Sequence, residues 1–169
     1  RDECTFNVQG QSYIPDVICK WTRPGGVDKR FDIYEYETGD NTQDFLNDKL
    51  DKAFALRHVL KSNKAFINIV TDTKENADKI KGKVNSWVEL KGIAALTTLV
   101  NGKVENMVVI RITTLACVRD AVVSQISLRH KSVWHWINDF RHGISWIPKK
   151  TKIKFNAKKH GLKNQPGIR

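Results

Sequence analysis

The sequence predicts a single α+β domain with an antiparallel or mixed sheet, about four helices and a basic C-terminal extension. Short stretches that alternate between apolar and polar residues are interleaved with longer stretches that place apolar residues at helical spacing. The chain has 169 residues and is 40% hydrophobic, which is enough for one sizeable core. Its excess positive charge lies near the C-terminal end. We therefore expect a globular domain over residues 1–148 and a basic strand and tail over residues 149–169.

Three strands are predicted at the start of the chain. They lie around Phe6, over residues 13–21 and over residues 31–36, and turns rich in glycine and proline separate them. Pro15 has no backbone N–H to donate to a neighbouring strand. The second strand is therefore expected at an edge or with a bulge.

The three cysteines are too few for a disulfide scaffold and are not spaced as a zinc site. A bridge between Cys4 and Cys19 would close the N-terminal strands, and the sequence leaves open whether it forms. Cys117 lies on the apolar side of a helical pattern, which predicts a small core residue rather than a nucleophile. We expect no metal ion and no cofactor.

A helix, a strand and a second helix follow. Apolar residues recur at helical spacing over residues 41–62, after a cap candidate at Asp40-Asn41. Residues 65–70 are almost entirely apolar and predict a buried strand. Asp72 and Glu75 have the spacing of a capping box for the second helix.

A tight hairpin is predicted at Asn101-Gly102, between strands over residues 94–100 and 104–113. Thr114 is the cap candidate of a third helix. The resulting order over residues 65–128 is strand, helix, strand, strand, helix. This order is compatible with a ferredoxin-like βαββα unit if a later strand joins the sheet.

Two further elements are predicted near the C-terminal end. Ser132 is the cap candidate of a fourth helix that ends at Gly143. Lysines alternate with apolar residues and a threonine over residues 150–155. This alternation predicts a strand over residues 151–155, with a row of ammonium groups on one side.

The charge distribution is the strongest functional signal. The net charge is +11, from 29 Lys and Arg against 18 Asp and Glu. Residues 129–169 alone contain eleven of the basic residues and one acid, together with four of the five histidines. Such a segment favours a polyanionic partner, and we predict nucleic acid. RNA is favoured over duplex DNA because the segment is rich in aromatics and histidines and the chain shows no clear DNA-recognition helix.

The predicted binding residues combine cations that contact phosphates with rings on which bases stack. They are the lysines Lys149, Lys150, Lys152, Lys154, Lys158, Lys159 and Lys163 and the tryptophans Trp134 and Trp146. The competing interpretation is that the tryptophans belong to the core and the lysines keep the protein in solution.

A metal-independent ribonuclease is the first alternative function. It needs a base, an acid and a cation that holds the phosphate, and histidine suits both proton roles. On the predicted fourth helix, His135 and His142 share a face with Asp139, and Arg141 is adjacent. The predicted catalytic residues are therefore His135, His142 and Arg141. The start at Arg1 suits either a processed protein, which would fit a secreted or toxin-like ribonuclease, or an excised piece of a longer chain.

Two acidic patterns in the sequence are candidates for metal sites. On a strand, Glu35 and Glu37 share one face while Asp32 points to the other, which leaves two carboxylates without a third ligand. The sequence therefore predicts that this strand face is solvated.

The second acidic pattern is Asp72 with the triplet Glu89-x-Lys91. It resembles the residue set of the PD-(D/E)xK nucleases, in which a strand aspartate and a Glu-x-Lys on the next strand hold Mg²⁺ and a general base. Glu89 closes a helical pattern here and is not predicted on a strand.

The second alternative function is a structural protein or one that binds an anionic membrane surface through its cationic tail. No apolar run approaches the roughly 18 residues of a membrane-spanning helix, so the protein is predicted to be soluble. The chain has no glycine-rich phosphate loop, no GxSxG turn and no dinucleotide fingerprint. Their absence disfavours nucleotide-driven enzymes, esterases and oxidoreductases.

Overall fold

The structure alternates strands and helices along the chain. The computed structural model describes residues 4–22, 29–62, 64–101, 103–141 and 143–148. Within these residues the elements are, in chain order, β1 (Phe6–Val8), β2 (Gln11–Tyr13), β3 (Val17–Thr22), β4 (Lys29–Tyr36), α1 (Gln43–Val59), β5 (Lys64–Thr71), α2 (Lys74–Lys91), α3 (Ile93–Leu96), β6 (Thr98–Val100), β7 (Lys103–Thr114), α4 (Leu115–Val123), a 3₁₀ turn (Lys131–Val133), β8 (Trp136–Asn138) and β9 (Ile147–Pro148). The predicted α+β class is confirmed.

A mixed sheet forms the centre of the fold. Over the part of the chain that the structure describes, it has seven strands in the order β3-β4-β5-β7-β8-β9, and β6 pairs with the start of β7. Strands β4, β5 and β7 run parallel, because α1 and the segment containing α2 connect them as crossovers. Strands β3, β8 and β9 pair antiparallel with their neighbours. The hairpin β1-β2 is a separate two-stranded sheet.

One face of the sheet is covered by α1 and α2. Side chains that alternate along the strands meet the apolar stripes of both helices in one core. The strand side chains of this core include Ile33, Ile67, Ile69, Val108, Ile110 and Ile112, and the helix side chains include Leu46, Leu50, Leu56, Ile80 and Val84. Trp87 on α2 is fully buried and donates a 2.8 Å hydrogen bond to Asp51 on α1. This bond ties the two helices together.

The opposite face is covered by α4 and the 3₁₀ turn. Their buried residues Ala121, Val133 and Trp134 form a second cluster, against which Tyr34 and Ile137 of the sheet pack. A smaller apolar cluster of Phe66, Met107 and Val109 lies on the strands. This face therefore carries less apolar packing than the face under α1 and α2.

Most predicted elements form, with shifted caps. The Thr42 side chain accepts from the backbone N–H of Phe45 at the start of α1, in place of the predicted Asp40-Asn41 cap. Thr73 caps α2 in the same way, one residue after the predicted Asp72. The strand predicted over residues 13–21 is divided at Pro15 into β2 and β3.

The turn between β6 and β7 contains Asn101 with φ 50°, which agrees with the predicted hairpin. The first strand is shorter than the predicted 94–100, since Ile93–Leu96 forms α3 and the strand is Thr98–Val100. Thr114 caps α4 as predicted, since its side chain accepts from Cys117 N at 3.3 Å. Cys4, Cys19 and Cys117 are all free thiols, so the structure contains no bridge between Cys4 and Cys19.

The predicted helix from Ser132 to Gly143 is wrong. This segment forms the end of the 3₁₀ turn and then β8, which pairs antiparallel with residues Ile110–Ile112 of β7. Pairing satisfies the backbone of β7 on its open side and places Trp136 and Asn138 against the helix-covered face. Tertiary pairing therefore overrides the local helical pattern.

The ferredoxin-like order is found only in part. Strands β5 and β7 are parallel neighbours and β6 pairs antiparallel with β7, as in a split βαβ unit. The other neighbour of β5 is the preceding strand β4, in parallel, and not a later strand. The strand predicted over residues 151–155 lies outside the described residues.

Candidate active site

Four charged side chains meet at the carboxyl end of β4. Glu35 lies on β4 and Glu37 directly follows it, on the side of α1, which contributes Lys49. Asp16 directly precedes β3 and lies beside the end of β4, because Val17 pairs with Tyr34. We call Asp16, Glu35, Glu37 and Lys49 the carboxylate–lysine cluster. The carboxyl end of parallel strands is where α/β sheets place their ligands.

The ammonium of Lys49 lies among the three carboxylates. Its Nζ is 2.6 Å from Glu37 Oε1, 2.8 Å from Glu35 Oε2 and 3.8 Å from Asp16 Oδ2. Asp16 Oδ2 also accepts a 2.7 Å hydrogen bond from the backbone N–H of Tyr36. One positive charge therefore faces three negative charges.

The cluster is buried on one side and open on the other. Glu35 is 3% exposed and Glu37 is 2% exposed, whereas the Asp16 side chain is 52% exposed. Burial raises the pKa of Glu35, and the hydrogen bonds from Lys49 and Tyr13 offset only part of this effect. Burial lowers the pKa of Lys49, but hydrogen bonds to Glu35 and Glu37 outweigh it, so its pKa lies above the usual value. Lys49 therefore stays charged at neutral pH.

Polar neighbours hold the two buried carboxylates in place. The Tyr13 hydroxyl, at the end of β2, donates to Glu35 Oε1. Burial and then the charge of Glu35 raise the pKa of Tyr13, so this hydroxyl keeps its proton. Asn41 Nδ2 donates to Glu37 Oε2. Each carboxylate is thus oriented by a group outside the cluster.

The predicted solvated face of Glu35 and Glu37 is wrong. Two residues of the cluster were not predicted as site residues from the sequence. They are Asp16, which follows Pro15 directly before β3, and Lys49. Lys49 stands in the apolar stripe of α1, three residues after Leu46 and four before Ala53, and both of these are buried. A lysine in such a stripe is the sequence signal for a buried anionic partner.

The chain matches no family model. No curated protein and no solved structure matches it either. Its function is therefore argued from its own residues.

The predicted histidine site is only partly described. His135 is half-buried, and its Nε2 lies 3.5 Å from Cys117 Sγ. Arg141 is exposed and donates a 2.9 Å hydrogen bond from Nε to Asp139 Oδ2. His142 lies outside the described residues. The predicted fourth helix, on which His135 and His142 would share a face, does not form.

The two predicted stacking tryptophans are both anchored. Trp134 is fully buried and its Nε1 donates a 2.9 Å hydrogen bond to the Leu128 carbonyl, so it presents no exposed face to a base. Trp146 is half-buried, and its Nε1 donates a 2.7 Å hydrogen bond to Asn85 Oδ1 on α2. The seven predicted lysines, Lys149, Lys150, Lys152, Lys154, Lys158, Lys159 and Lys163, lie outside the described residues.

The acids of the PD-(D/E)xK resemblance do not meet. Asp72 accepts from the Tyr36 hydroxyl, whereas Lys91 forms a 2.8 Å ion pair with Asp51. Glu89 lies on α2 and is exposed. Among the described residues, no three His, Cys, Asp or Glu side chains are already arranged to hold a metal ion. In the carboxylate–lysine cluster, the Lys49 ammonium lies between the acids.

The described part of the chain contains no helix with the length and apolar character needed to cross a membrane.

Proposed function

We propose that the protein binds nucleic acid and hydrolyses its phosphodiester bonds with the help of a divalent metal ion. One observation carries this proposal: three carboxylates, from the residue before β3, from β4 and from the loop after β4, converge on a half-buried lysine of α1. The basic C-terminal end supports nucleic acid as the substrate class. Sequence composition favours RNA, and DNA is the other substrate to be compared.

The residues of the cluster suit a hard divalent cation. Mg²⁺ and Mn²⁺ prefer carboxylate and amide oxygens, and these are the donors that Asp16, Glu35, Glu37 and Asn41 offer. Three carboxylates against one ammonium leave a local excess of negative charge. A cation bound there would compete with the Lys49 ammonium for the same oxygens. Once bound, Mg²⁺ would neutralise phosphate charge and lower the pKa of a water molecule.

The remaining steps belong to the side chains of the chain. Hydrolysis adds a hydroxyl group to phosphorus and a proton to the oxygen that leaves. Lys49 would place its ammonium group beside the reacting phosphate, since its Nζ lies among the three carboxylates. Tyr13 and Asn41 orient Glu35 and Glu37. Asp16 is the most exposed carboxylate and faces an incoming substrate.

This arrangement resembles the pattern of the PD-(D/E)xK nucleases, on residues other than Asp72, Glu89 and Lys91. Asp16, directly before β3, occupies the place of the strand aspartate, and Glu35-x-Glu37, at the end of β4 and directly after it, occupies the place of Glu-x-Lys. The lysine comes from the following helix, as Lys49. This chain differs from the Glu-x-Lys pattern in where the ammonium group comes from. A glutamate stands in place of the strand lysine, and Lys49 of the helix places its Nζ beside both glutamates.

Cleavage of RNA and DNA with Mg²⁺, Mn²⁺ or EDTA tests the proposal. We expect cleavage with metal and none in EDTA. Glu35→Gln and Glu37→Gln should each lower the rate roughly 100-fold or more. Lys49→Met should lower it as well.

Two substitutions serve as matched controls. Glu75→Gln changes an exposed glutamate of α2, and Lys52→Met changes a lysine of α1 that pairs with Asp48. Both should cleave like the wild type. A second measurement is thermal unfolding, in which Mn²⁺ should raise Tm in the wild type and not in Glu35→Gln. Cleavage that persists in EDTA or in Glu35→Gln would contradict the proposal.

A further inference from the structure

Three polar residues lie side by side on the sheet face opposite α1 and α2. Tyr34 on β4 pairs with Asn68 on β5, and Asn68 pairs with Arg111 on β7. Their neighbours along each strand point into the core under the helices. We call Tyr34, Asn68 and Arg111 the polar row. The row lies on the other side of the sheet from the carboxylate–lysine cluster.

Every residue of the polar row has a buried polar atom without a hydrogen-bond partner. These atoms are Tyr34 Oη, Asn68 Oδ1 and Arg111 Nη1. Arg111 is 8% exposed, and Asn68 is fully buried. Such atoms cost free energy and are rare in folded proteins. Three of them in one row of a sheet leave two donors and one acceptor that a bound polar group could satisfy.

The carboxylate of Asp32, whose charge acts on Tyr34 and Arg111, is already engaged. Asp32 Oδ1 accepts from Arg30 Nε at 2.7 Å, and Asp32 Oδ2 accepts from Trp21 Nε1 at 2.9 Å. Arg111 lies 5.4 Å from the ring centre of Phe66. Ring contacts of this kind compensate only part of the cost of a buried guanidinium group.

The local charge is positive. Burial lowers the pKa of Arg111, and the charge of Arg30 lowers it further, while Asp32 opposes this effect. Arg129, on the segment after α4, also lowers it and lies 5.2 Å above the ring of Trp21. Arg129 is exposed and Trp21 is 37% exposed, whereas the buried ring of Trp134 lies 5.6 Å from Arg111. Among the described residues, the charges of Arg30 and Arg129 act on Arg111 together with the opposing charge of Asp32.

We propose that the polar row, together with Arg129, forms a binding site for a phosphate group. Arg111 and Arg129 supply positive charge and N–H donors. Tyr34 supplies an O–H donor, because burial and then the charge of Asp32 raise its pKa to about 12. Asn68 Oδ1 accepts the proton of a singly protonated phosphate, a form present near neutral pH. The site goes beyond the proposed nuclease activity and uses none of its residues.

The ligand is either inorganic phosphate or the terminal phosphate of a nucleotide, since the chemistry of the phosphate group is the same. Isothermal titration calorimetry in EDTA with inorganic phosphate, and separately with a nucleoside 5′-monophosphate, distinguishes these sources. We expect saturable binding of at least one of the two. Sodium chloride of equal ionic strength should give no saturable signal.

Substitutions link the binding to the polar row. Arg111→Met should lower the affinity at least ten-fold, and Arg129→Ala should lower it several-fold. Arg119→Met, at an exposed arginine of α4, should leave it unchanged. Because Arg129 is exposed, Arg129→Ala carries the test even if Arg111→Met fails to fold.

Two results overturn the proposal: no saturable binding of either ligand, or wild-type affinity in Arg129→Ala, whether or not Arg111→Met folds. Glu35→Gln separates this site from the proposed active site, since it should lose cleavage and keep phosphate binding. Failure of the phosphate site would therefore leave the nuclease proposal standing, and the reverse also holds.

Discussion

Lys49 occupies a helical position that would normally belong to the apolar core. Burying an ammonium group costs several kcal/mol unless it is paired, and Glu35 and Glu37 supply the pairing. The same contact stabilises the two carboxylates, which are also buried. In the sequence, Lys49 lies twelve positions after Glu37 and fourteen after Glu35. Their meeting was not predictable because it depends on how α1 lies against β4.

Glu35 has a predicted effect on the pH dependence of stability. Its pKa in the folded state lies above 4.5, its ordinary value in an unfolded chain. At pH values between 4.5 and the higher pKa of the folded state, Glu35 binds more protons in the folded protein than in the unfolded chain. The contribution of Glu35 to the free energy of unfolding therefore falls as pH rises through this range. Glu35→Gln imitates the protonated form. We expect its Tm, relative to that of the wild type, to be higher at pH 7 than at pH 4.

Thermal unfolding of both proteins over pH 4–8 measures this difference, and about 2–4 °C corresponds to 1 kcal/mol in a protein of this size. Glu75→Gln at the exposed start of α2 is the control and should show no such trend. A difference for Glu35→Gln that is constant with pH, or larger at pH 4, would show that burial does not raise this pKa.

At the scale of elements, the periodicities of α1 and α2 and the Thr114 cap of α4 were predictable because they are local, whereas the caps of α1 and α2 lie one or two residues after the predicted ones. A threonine before each helix accepts a hydrogen bond from the third residue that follows it. The region of the predicted fourth helix behaves differently. Its residues Val133, Trp136 and Phe140 also have helical spacing, but β8 pairs with β7 instead. This segment forms a strand because β7 has an open side with which it can pair.

The cap of α1 allows a test of helix stability near the proposed active site. The Thr42 side chain accepts from Phe45 N at 3.2 Å, seven residues before Lys49. Thr42→Ala should lower the free energy of unfolding by about 1 kcal/mol, because that N–H loses its partner. Urea denaturation measures the change. Thr42→Ser keeps the hydroxyl and should stay close to the wild type, and equal stability of all three proteins would exclude a contribution from the cap.

The whole molecule separates two kinds of charge. The carboxylate–lysine cluster is acidic and lies under α1, whereas the polar row lies on the opposite face with Arg30 and Arg129. The basic C-terminal segment adds eight Lys and Arg over residues 149–169 without any acid. Under the proposed function, one part of the chain would attract a nucleic acid and another part would cleave it.

The basic segment has a predicted effect on affinity and on its salt dependence. Deleting residues 149–169 should weaken nucleic-acid binding and flatten the plot of log K against log salt. Each lost phosphate contact should change that slope by about 0.7–0.9. Fluorescence anisotropy with labelled RNA and DNA at several salt concentrations measures both quantities.

A full-length variant with glutamine at the eight basic positions separates the loss of charge from the loss of chain length. It should bind as weakly as the deletion. Unchanged affinity and slope in this variant would show that the basic segment does not contact the nucleic acid.

The sequence by itself determined the α+β class, the helices α1 and α2, the β6-β7 hairpin and the concentration of positive charge after residue 128. These features follow from periodicity, turn residues and composition, which act over short distances along the chain. Tertiary structure alone decided that Asp16, Glu35, Glu37 and Lys49 meet and that the polar row lines up across three strands. Strand register and helix docking set those contacts, because they join residues far apart in the chain whose burial depends on the whole sheet.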